Sequence, residues 1–266
     1  MYKYLNQMSG FLFHDIIFGP VQSRRLGLSL GINLLPIHSK YCSFNCIYCE
    51  CGWTPENKNL IPELPPRELV SQYLEYRLKE LLEEDHIPDV LTFAGNGEPT
   101  MHPDFPGIVD DTLKLRDKFM PGAKVSILSN ASMIYKDDIF KALLRLDNNI
   151  QKLDAGFERL FLLINNPAGT VKFNDLIDNL KKFKGKVIIQ SMFLRGSYKG
   201  EAIDNTTENE VSEWLKKIDL IRPSMVMLYP ISRATPVHNL EKISIFELDK
   251  IAERVRGLEI VAKVYS

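Results

Sequence analysis

Segments with a strand-like pattern of hydrophobic residues alternate along this chain with segments that have a helix-like pattern. Short apolar runs predict buried strands, and between them apolar residues recur every three or four positions, as on amphipathic helices. The predicted strands are 28–35, 90–93, 124–129, 150–154, 187–193, 225–229 and 258–264. The predicted helices are 66–84, 105–118, 137–146, 174–183, 207–218 and a last one that Ser244 and Glu247 open with a capping-box pattern. The segments 18–27, 52–65 and 165–169 are predicted as turns or loops.

Strands separated by helices of this length pair in parallel through right-handed crossovers, so the fold class is α/β. Six βα units and one trailing strand are too few for a full eight-unit barrel. A partial (β/α)6 TIM-type barrel and a doubly wound open sheet both fit this count, and periodicity does not separate them. We expect a single domain with an N-terminal extension over 1–17, a core over 18–256 and a trailing strand over 257–266.

Composition and charge narrow the class of protein. The 266 residues are 45% hydrophobic, which suffices for a full core. Lys and Arg total 33 against 34 Asp and Glu, a balance that gives no electrostatic footprint for nucleic acid but leaves a local basic patch open. We find no signal-peptide pattern and no membrane span, and the clustered cysteines argue against a secreted disulfide scaffold. The sequence therefore predicts a cytoplasmic enzyme.

All four cysteines lie between Cys42 and Cys51, and the first three have the spacing C-x3-C-x2-C. Thiolates favour iron–sulfur clusters, zinc or copper(I). Because clusters and structural zinc normally take four ligands, Cys42, Cys46 and Cys49 on one loop predict a cluster with one iron left open. The alternative is a structural zinc site that also uses Cys51, although zinc ligands usually come in pairs from separate segments. We otherwise expect Cys51 to be a spare thiol.

The cysteine motif, with aromatic Tyr48 before its third cysteine, resembles the signature of the radical S-adenosylmethionine (SAM) enzymes. Gly95-Asn96-Gly97-Glu98-Pro99 resembles the Gly-Gly-Glu-Pro motif of that family, with Asn96 at its second glycine. The likeness runs from about residue 18 to the end. The segments Ser-Arg-Arg-Leu-Gly, Gly-Asn-Gly-Glu-Pro-Thr, Lys-Leu-Asp and Phe-Leu-Arg-Gly are similar to a branch named after the wyosine tRNA-modifying synthases.

This resemblance implies a partial barrel and a [4Fe–4S] cluster on the three cysteines, with SAM on the fourth iron. It places Tyr48 near the adenine and the 95–99 motif, with Glu98 as acceptor, at the methionine amino group. It also implies a reductant such as flavodoxin or ferredoxin, and reductive cleavage of SAM to a 5′-deoxyadenosyl radical that takes hydrogen from a substrate. Four cysteines do not suffice for a second four-cysteine cluster.

Ligands of parallel α/β folds gather at the carboxyl ends of the strands, which yields further candidates. The predicted cofactor contacts there are Ser129, Asn130, Lys152, Asp154 and Gln190. Ser129 and Asn130 also suit a turn, and Lys152 with Asp154 also suits a structural salt bridge. The predicted substrate contacts are Arg195, Tyr229 and Arg233, with Arg233 as the leading anion contact. His102 is expected to be structural. Ser23, Arg24 and Arg25 could contact an anionic group at the barrel mouth, but a solvated turn is the favoured interpretation.

The substrate stays open. A tRNA base follows from the named branch, but the near-neutral charge speaks against it. Two other substrates are compatible with an enzyme. One is a small molecule or peptide over the barrel mouth, and the other is a partner protein on which the chain would generate a glycyl radical. The alternative from another class is a zinc-stabilised binding module.

Overall fold

The computed structural model describes residues 10–55, 63–169 and 171–266. These residues form ten strands and seven helices. The strands are β1 Ile17–Ser23, β2 Gly27–Ile32, β3 Val90–Phe93, β4 Lys124–Ser129, β5 Asn148–Lys152, β6 Ile188–Tyr198, β7 Glu201–Asp204, β8 Met225–Pro230, β9 Leu240–Lys242 and β10 Val261–Val264. The helices are α1 Arg67–Glu83, α2 Phe105–Phe119, α3 Asp137–Leu143, α4 Glu158–Asn165, α5 Phe173–Lys181, α6 Glu208–Ile221 and α7 Ile245–Arg256.

The sheet order decides between the two predicted architectures. From β2 to β10 the strands that share the main sheet, β2-β3-β4-β5-β6-β8-β10, follow one another in chain order and pair in parallel. A doubly wound sheet would reverse its strand order at a switch point. The uninterrupted order confirms the partial (β/α)6 TIM-type barrel, with six βα units and a trailing strand.

Three elements differ from the sequence-based expectation. The predicted turn 18–27 is instead β1 and the tip of an antiparallel β1–β2 hairpin, because Phe18 packs its ring over the bare backbone of Gly31. Helix α4 was not predicted, since its eight residues are too few to show a clear helical period. Strand β6 continues to Tyr198, where β7 and β9 pair with its outer half.

The sheet separates two apolar clusters. The larger one lies between the strands and the surrounding helices. The smaller one fills the barrel interior and consists of Ile150, Ile188 and Met227, with Leu26 of the hairpin tip packed against it. Residues two positions further along these strands therefore project into the same interior, nearer the carboxyl ends of the strands. Among the helices that the structure describes, none is long and apolar enough to cross a membrane.

The predicted capping box of α7 is present. The Ser244 hydroxyl accepts a hydrogen bond from the Glu247 backbone N–H at 3.2 Å, and the Glu247 carboxylate accepts one from the Ser244 N–H. We expect Ser244→Ala to lower the free energy of unfolding by about 1 kcal/mol, because it leaves a helix-end donor without a partner. Thermal denaturation should show this loss, whereas Ser197→Ala at an exposed strand position should change stability by less than about 0.5 kcal/mol. Equal effects of both substitutions would contradict the cap.

Candidate active site

The cysteine loop is clamped on one side by the glycine-rich loop that follows β3. The Tyr41 N–H donates to the Asn96 carbonyl at 2.8 Å, and the Glu98 N–H donates to the Tyr41 carbonyl at 3.1 Å. A Cβ on Gly97 would lie 1.9 Å from the Tyr41 carbonyl oxygen, and the φ of Gly97 is +143°. Glycine is therefore required at this position for the two loops to meet.

On its other side the cysteine loop docks on the carboxyl end of α4. Asn45 and Ile47 donate their backbone N–H groups to the carbonyls of Asn165 and Ile164, each at 3.0 Å. The last carbonyls of a helix have no partner within it, and here the cysteine loop satisfies two of them. The sequence analysis missed a signal for this helix end, an asparagine followed by a proline. Asn166 adopts the left-handed conformation that often ends a helix, with φ +39°, and a proline follows it.

Each of the three predicted cluster cysteines has a nitrogen donor of its own. The Asn130 side-chain amide lies 3.5 Å from the Cys42 sulfur, and the Asn165 amide lies 3.5 Å from the Cys46 sulfur. The third donor is the Lys40 ammonium, which is buried beside Cys49. Sequence reasoning did not single out Lys40 or Asn165, because donors that reach a sulfur from separate segments leave no spacing pattern.

The thiols of this loop differ in acidity because their surroundings differ. Burial raises the pKa of Cys42 to about 12 and also raises that of Cys46. A hydrogen bond from Cys51 and the nearby Lys40 charge lower the pKa of Cys49 to about 5, and the pKa of Cys51 rises because it donates that bond. The sequence prediction of a spare thiol is consistent with this role of Cys51 as a donor.

Lys40 balances the charge that this loop carries. Burial alone would lower its pKa, but attraction to the Cys49 sulfur, with smaller contributions from Cys42 and Cys46 when they ionise, outweighs burial and raises it. Its ammonium also donates to the Gly52 carbonyl at 3.0 Å. The lysine therefore stays charged beneath the cysteines.

In the 95–99 motif, Glu98 is buried and largely engaged by its own chain. Its Oε1 accepts from the Thr100 N–H at 3.1 Å and from the Thr100 hydroxyl, and its Oε2 accepts from the Asn130 N–H at 2.6 Å. These bonds offset the burial that raises the pKa of Glu98. They join the Pro99 turn to the end of β4. A contact of Glu98 with the methionine amino group stays a prediction.

The side chain of Asn96 has a different role from the one predicted. Its Oδ1 accepts from the Phe13 N–H at 2.9 Å, and its Nδ2 donates to the Phe13 and Pro36 carbonyls, each at 2.8 Å. Both amide protons are thus used to hold the N-terminal segment, so the side chain is not free to bind a cofactor. Gly95 packs against Asn33, whose Oδ1 would lie 2.3 Å from a Cβ there. Only the backbone of residues 95–97 is left as a candidate contact.

Ser129 and Asn130, at the end of β4, both make the turn contacts that were the alternative to ribose binding. The Ser129 hydroxyl accepts from the Ala131 N–H at 3.1 Å, and the Asn130 Oδ1 accepts from the Ser132 N–H at 2.9 Å. Asn130 also donates to the Ser43 hydroxyl at 2.9 Å. The pair therefore braces the cysteine loop, and a ribose contact stays a prediction.

Lys152 and Asp154 face the barrel interior together and enclose Tyr48. The Lys152 ammonium donates to the Tyr48 hydroxyl at 2.5 Å and lies 3.6 Å from Asp154, and the Tyr48 hydroxyl donates to Asp154. Asp154 also accepts from the Asn165 amide at 2.7 Å and from the Met192 N–H at 2.9 Å. Burial would lower the pKa of Lys152, but the Asp154 carboxylate outweighs it and raises the pKa. The structural salt bridge left open by the sequence is therefore present.

The remaining predicted contacts divide between the interior and the surface. Gln190 and Tyr229 lie inside the barrel, where both contact Arg25 of the hairpin tip. Arg195 has the opposite strand parity to Gln190 and points outward, where it pairs with Glu247 at 2.7 Å. A contact of Arg195 with the substrate stays a prediction, and this outward orientation does not favour it.

Arg233, the predicted leading anion contact, lies at the protein surface, and its contact with a substrate anion stays a prediction. Its side chain is 63% exposed, and its guanidinium pairs with Glu50 at 2.7 Å beside the cysteine loop. The charge is thus neutralised by an acidic neighbour that the sequence spacing does not reveal. A cavity of about 580 Å³ lies here, bordered by Phe11, Cys49 and Arg233.

The profile of the Radical SAM superfamily matches residues 36–204, which is more than half of the chain. The chain belongs to the radical SAM superfamily. The matched segment begins before the cysteine loop and ends with β7, so it contains the thiols, the 95–99 motif and the interior lysine–aspartate pair. Members of this superfamily use a [4Fe–4S] cluster and SAM.

Named relatives are longer than this radical SAM chain. A protein of Brachyspira hyodysenteriae called GTPase Obg is 32% identical over 238 residues, which cover 88% of this chain but 32% of that protein. A UPF0026 protein of Methanocaldococcus jannaschii is 34% identical over 198 residues, or 73% of this chain and 59% of that protein. The chain thus spans between a third and three fifths of the length of these relatives.

Solved radical SAM structures share the fold. A methyltransferase from Sphaerobacter thermophilus superposes with a TM-score of 0.65 at 13% identity, covering 89% of this chain and 65% of that one. TYW1 with a lysine–pyruvate adduct bound gives 0.62 at 14% identity, covering 86% and 73%. At these identities the likeness concerns the fold alone.

The residues present fit the cluster of this superfamily. Three free thiols lie on one loop, and each faces a nitrogen donor that offsets charge on sulfur. Within residues 10–55, 63–169 and 171–266, no three His, Cys, Asp or Glu side chains converge on a position for a single metal ion. In an iron–sulfur cluster each cysteine binds a different iron, so the three sulfurs can lie further apart than around a single zinc ion. A zinc ion lies about 2.3 Å from every sulfur that binds it.

His102 is structural in this radical SAM chain, as the sequence indicated. Its Nε2 contacts the Pro65 carbonyl at 2.9 Å, and its Nδ1 accepts from the Asp104 N–H at 3.1 Å. Burial lowers the pKa of His102 below its usual 6.5, so the unfolded chain binds this proton more readily. The stability that this histidine contributes is present above pH 6.5 and is lost as the pH falls through its lowered pKa.

We therefore expect the melting temperature of the wild-type protein to fall between pH 7 and pH 5 more steeply than that of His102→Gln. For one proton, the free energy of unfolding of the two proteins can differ in its pH slope by at most about 1.4 kcal/mol per pH unit. His86→Gln, at an exposed position, should leave the wild-type slope unchanged. Parallel pH profiles for the wild type and His102→Gln would mean that the imidazole is not held neutral.

Proposed function

We propose that this chain is a radical SAM enzyme in which Cys42, Cys46 and Cys49 hold the cluster and the interior of the barrel holds the substrate. When bound, the cluster and SAM supply one-electron cleavage of the sulfonium and a carbon-centred radical that takes hydrogen from a substrate. The observation that carries the proposal is the set of three thiols on one clamped loop, each with its own nitrogen donor, above a barrel interior with charged residues.

The chain's own residues would position and tune these groups. Nitrogen donors near the sulfurs of Cys42 and Cys46 stabilise negative charge there, which raises the reduction potential of a cluster. Tyr48 is fixed by Lys152 and Asp154, so its ring presents one face to the interior. The glycines at 95 and 97 let this backbone pack directly against Asn33 and Tyr41, so the main chain of residues 95–97, and not its side chains, would contact SAM. An external one-electron donor, such as flavodoxin or ferredoxin, would be the partner.

The test is spectroscopic. The protein is purified anaerobically, reconstituted with iron and sulfide and reduced with dithionite, and its electron paramagnetic resonance spectrum is recorded with and without SAM. We expect a cluster signal that changes when SAM is added, together with slow release of 5′-deoxyadenosine. A colourless protein with stoichiometric zinc, or a cluster signal indifferent to SAM, would refute the proposal.

A further inference from the structure

Arg25 reaches into the barrel from the tip of the β1–β2 hairpin. Its Nη1 donates to the Gln190 Oε1 at 2.7 Å, and its guanidinium carbon lies 4.7 Å above the centre of the Tyr229 ring. Gln190 pairs in register with Lys152 of β5, and Tyr229 lies two residues beyond Met227, the Gln190 partner on β8. Arg25 is therefore on the same interior face as Lys152, and not in the solvated turn that the sequence predicted.

The charge of Arg25 lacks a counter-charge in the part of the chain that the structure describes. Its contacts there are a neutral amide and an aromatic ring, and no carboxylate lies within ion-pair distance of it. The other interior cation, Lys152, is neutralised by Asp154. Arg25 thus brings a positive charge into the barrel without a carboxylate partner among the described residues, and such a guanidinium in a partly buried site is costly unless something else pairs with it.

The hairpin tip is held so that Arg25 points inward. The Ser23 hydroxyl accepts from the backbone N–H groups of Arg25 and Leu26 at 3.3 and 3.2 Å. The neighbouring Arg24 anchors the tip outside by donating to the Ser232 hydroxyl and the Ser266 carbonyl, each at 2.7 Å. Leu26 is packed into the interior apolar cluster. The guanidinium is therefore positioned before any ligand binds.

Arg25 also keeps donors available. A guanidinium has five N–H groups. Among the described residues, the Arg25 guanidinium uses one of them in a hydrogen bond to Gln190. Tyr229 and Tyr265 lie beside it; burial raises the pKa of Tyr265, while the Arg25 charge acts to lower it. A planar guanidinium with unused N–H groups can bind an oxyanion through two parallel hydrogen bonds.

We propose that Arg25 binds an oxyanion of the substrate, a carboxylate or a phosphate, inside the barrel. This inference rests on the proposed function, because it assigns the substrate of that site. It places the anionic end of the substrate at the Arg25 N–H groups that Gln190 does not use, on the interior face that also carries Lys152. It excludes substrates that have no negative charge.

The test uses the reconstituted, SAM-loaded protein under anaerobic conditions, with acetate and methyl phosphate as separate probes. Binding is followed by saturation-transfer difference NMR of the methyl protons over a concentration series. We expect Arg25→Gln to weaken binding of at least one probe by about tenfold or more, because a charge-assisted hydrogen bond is lost. The control is Lys114→Gln, which removes one positive charge from the exposed face of α2, outside the barrel, and should leave binding close to that of the wild type.

The two probes distinguish the source of the anion. Arg25-dependent binding of acetate alone points to a carboxylate substrate, binding of methyl phosphate alone to a phosphate, and binding of both supports an oxyanion site that accepts either. No binding by the wild type, or equal binding by all three proteins, would overturn the inference. The SAM-induced spectral change of the wild-type sample tests the proposed function separately, so a failure of one is not read as a failure of the other.

Discussion

Serine substitution of Cys42, Cys46 or Cys49, one at a time, is expected to abolish the cluster and with it the cleavage of SAM. A serine hydroxyl is a poor ligand for iron, and a three-cysteine site has no protein ligand to spare. Reconstituted variants should lack the broad visible absorption of the wild type and release 5′-deoxyadenosine only at background level. The measurement is iron and sulfide content with the rate of 5′-deoxyadenosine release.

Cys51 offers a matched control within the same loop. It is the fourth cysteine of the chain, and its thiol lies beside Cys49 and donates to the Gly95 carbonyl at 3.5 Å. Because Cys51→Ser keeps a hydroxyl donor at this position, we expect the cluster to assemble and SAM cleavage to persist. If Cys51→Ser loses metal as completely as Cys46→Ser, the site uses four cysteines and the zinc alternative regains support.

Asp154→Asn is expected to lower the free energy of unfolding by about 3–5 kcal/mol, because it leaves Lys152 as a buried cation without a partner. Asp154 is fully buried and Lys152 is 14% exposed, so solvent screens this pair little. The substitution also loosens Tyr48 and Asn165, which Asp154 holds on either side. Anaerobic calorimetry of the reconstituted proteins gives the change in melting temperature.

A double-substitution cycle separates charge from packing. Lys152→Met should cost less than Asp154→Asn, since Asp154 keeps its bonds from Tyr48, Asn165 and the Met192 backbone. The double variant Asp154→Asn with Lys152→Met should be more stable than Asp154→Asn alone, because the uncompensated ammonium is gone. Additive losses would indicate that the two residues do not form a functional ion pair.

The elements that the sequence predicted well are those whose own residues carry the signal. Strands β3 and β4 match their predicted bounds, since a short apolar run ends at a polar loop in each. The capping box of α7 is a local contact between residues three apart, so its pattern is readable. The elements missed, α4 and the hairpin strand β1, are short and owe their stability to partners distant in the chain.

The site divides in the same way. The C-x3-C-x2-C spacing and the 95–99 motif are contiguous, so the sequence by itself determined the family, the cofactors and the thiols that are candidates to hold the cluster. Asn165, Lys40 and Arg25 reach the site from segments with no common spacing. Contacts of this kind form only when the barrel brings distant segments together.

The pairing of charged side chains shows most clearly what only the tertiary structure decided. The sequence determined that Arg25, Arg195 and Arg233 are cations, and its ranking of Arg233 as the leading anion contact was made without knowledge of their neighbours in the fold. The tertiary structure paired Arg195 with Glu247 and Arg233 with Glu50, and placed Arg25 against a neutral amide and an aromatic ring. Whether a charge is free to bind a ligand depends on the neighbours that folding supplies and on how much water screens it, and both are properties of the folded chain.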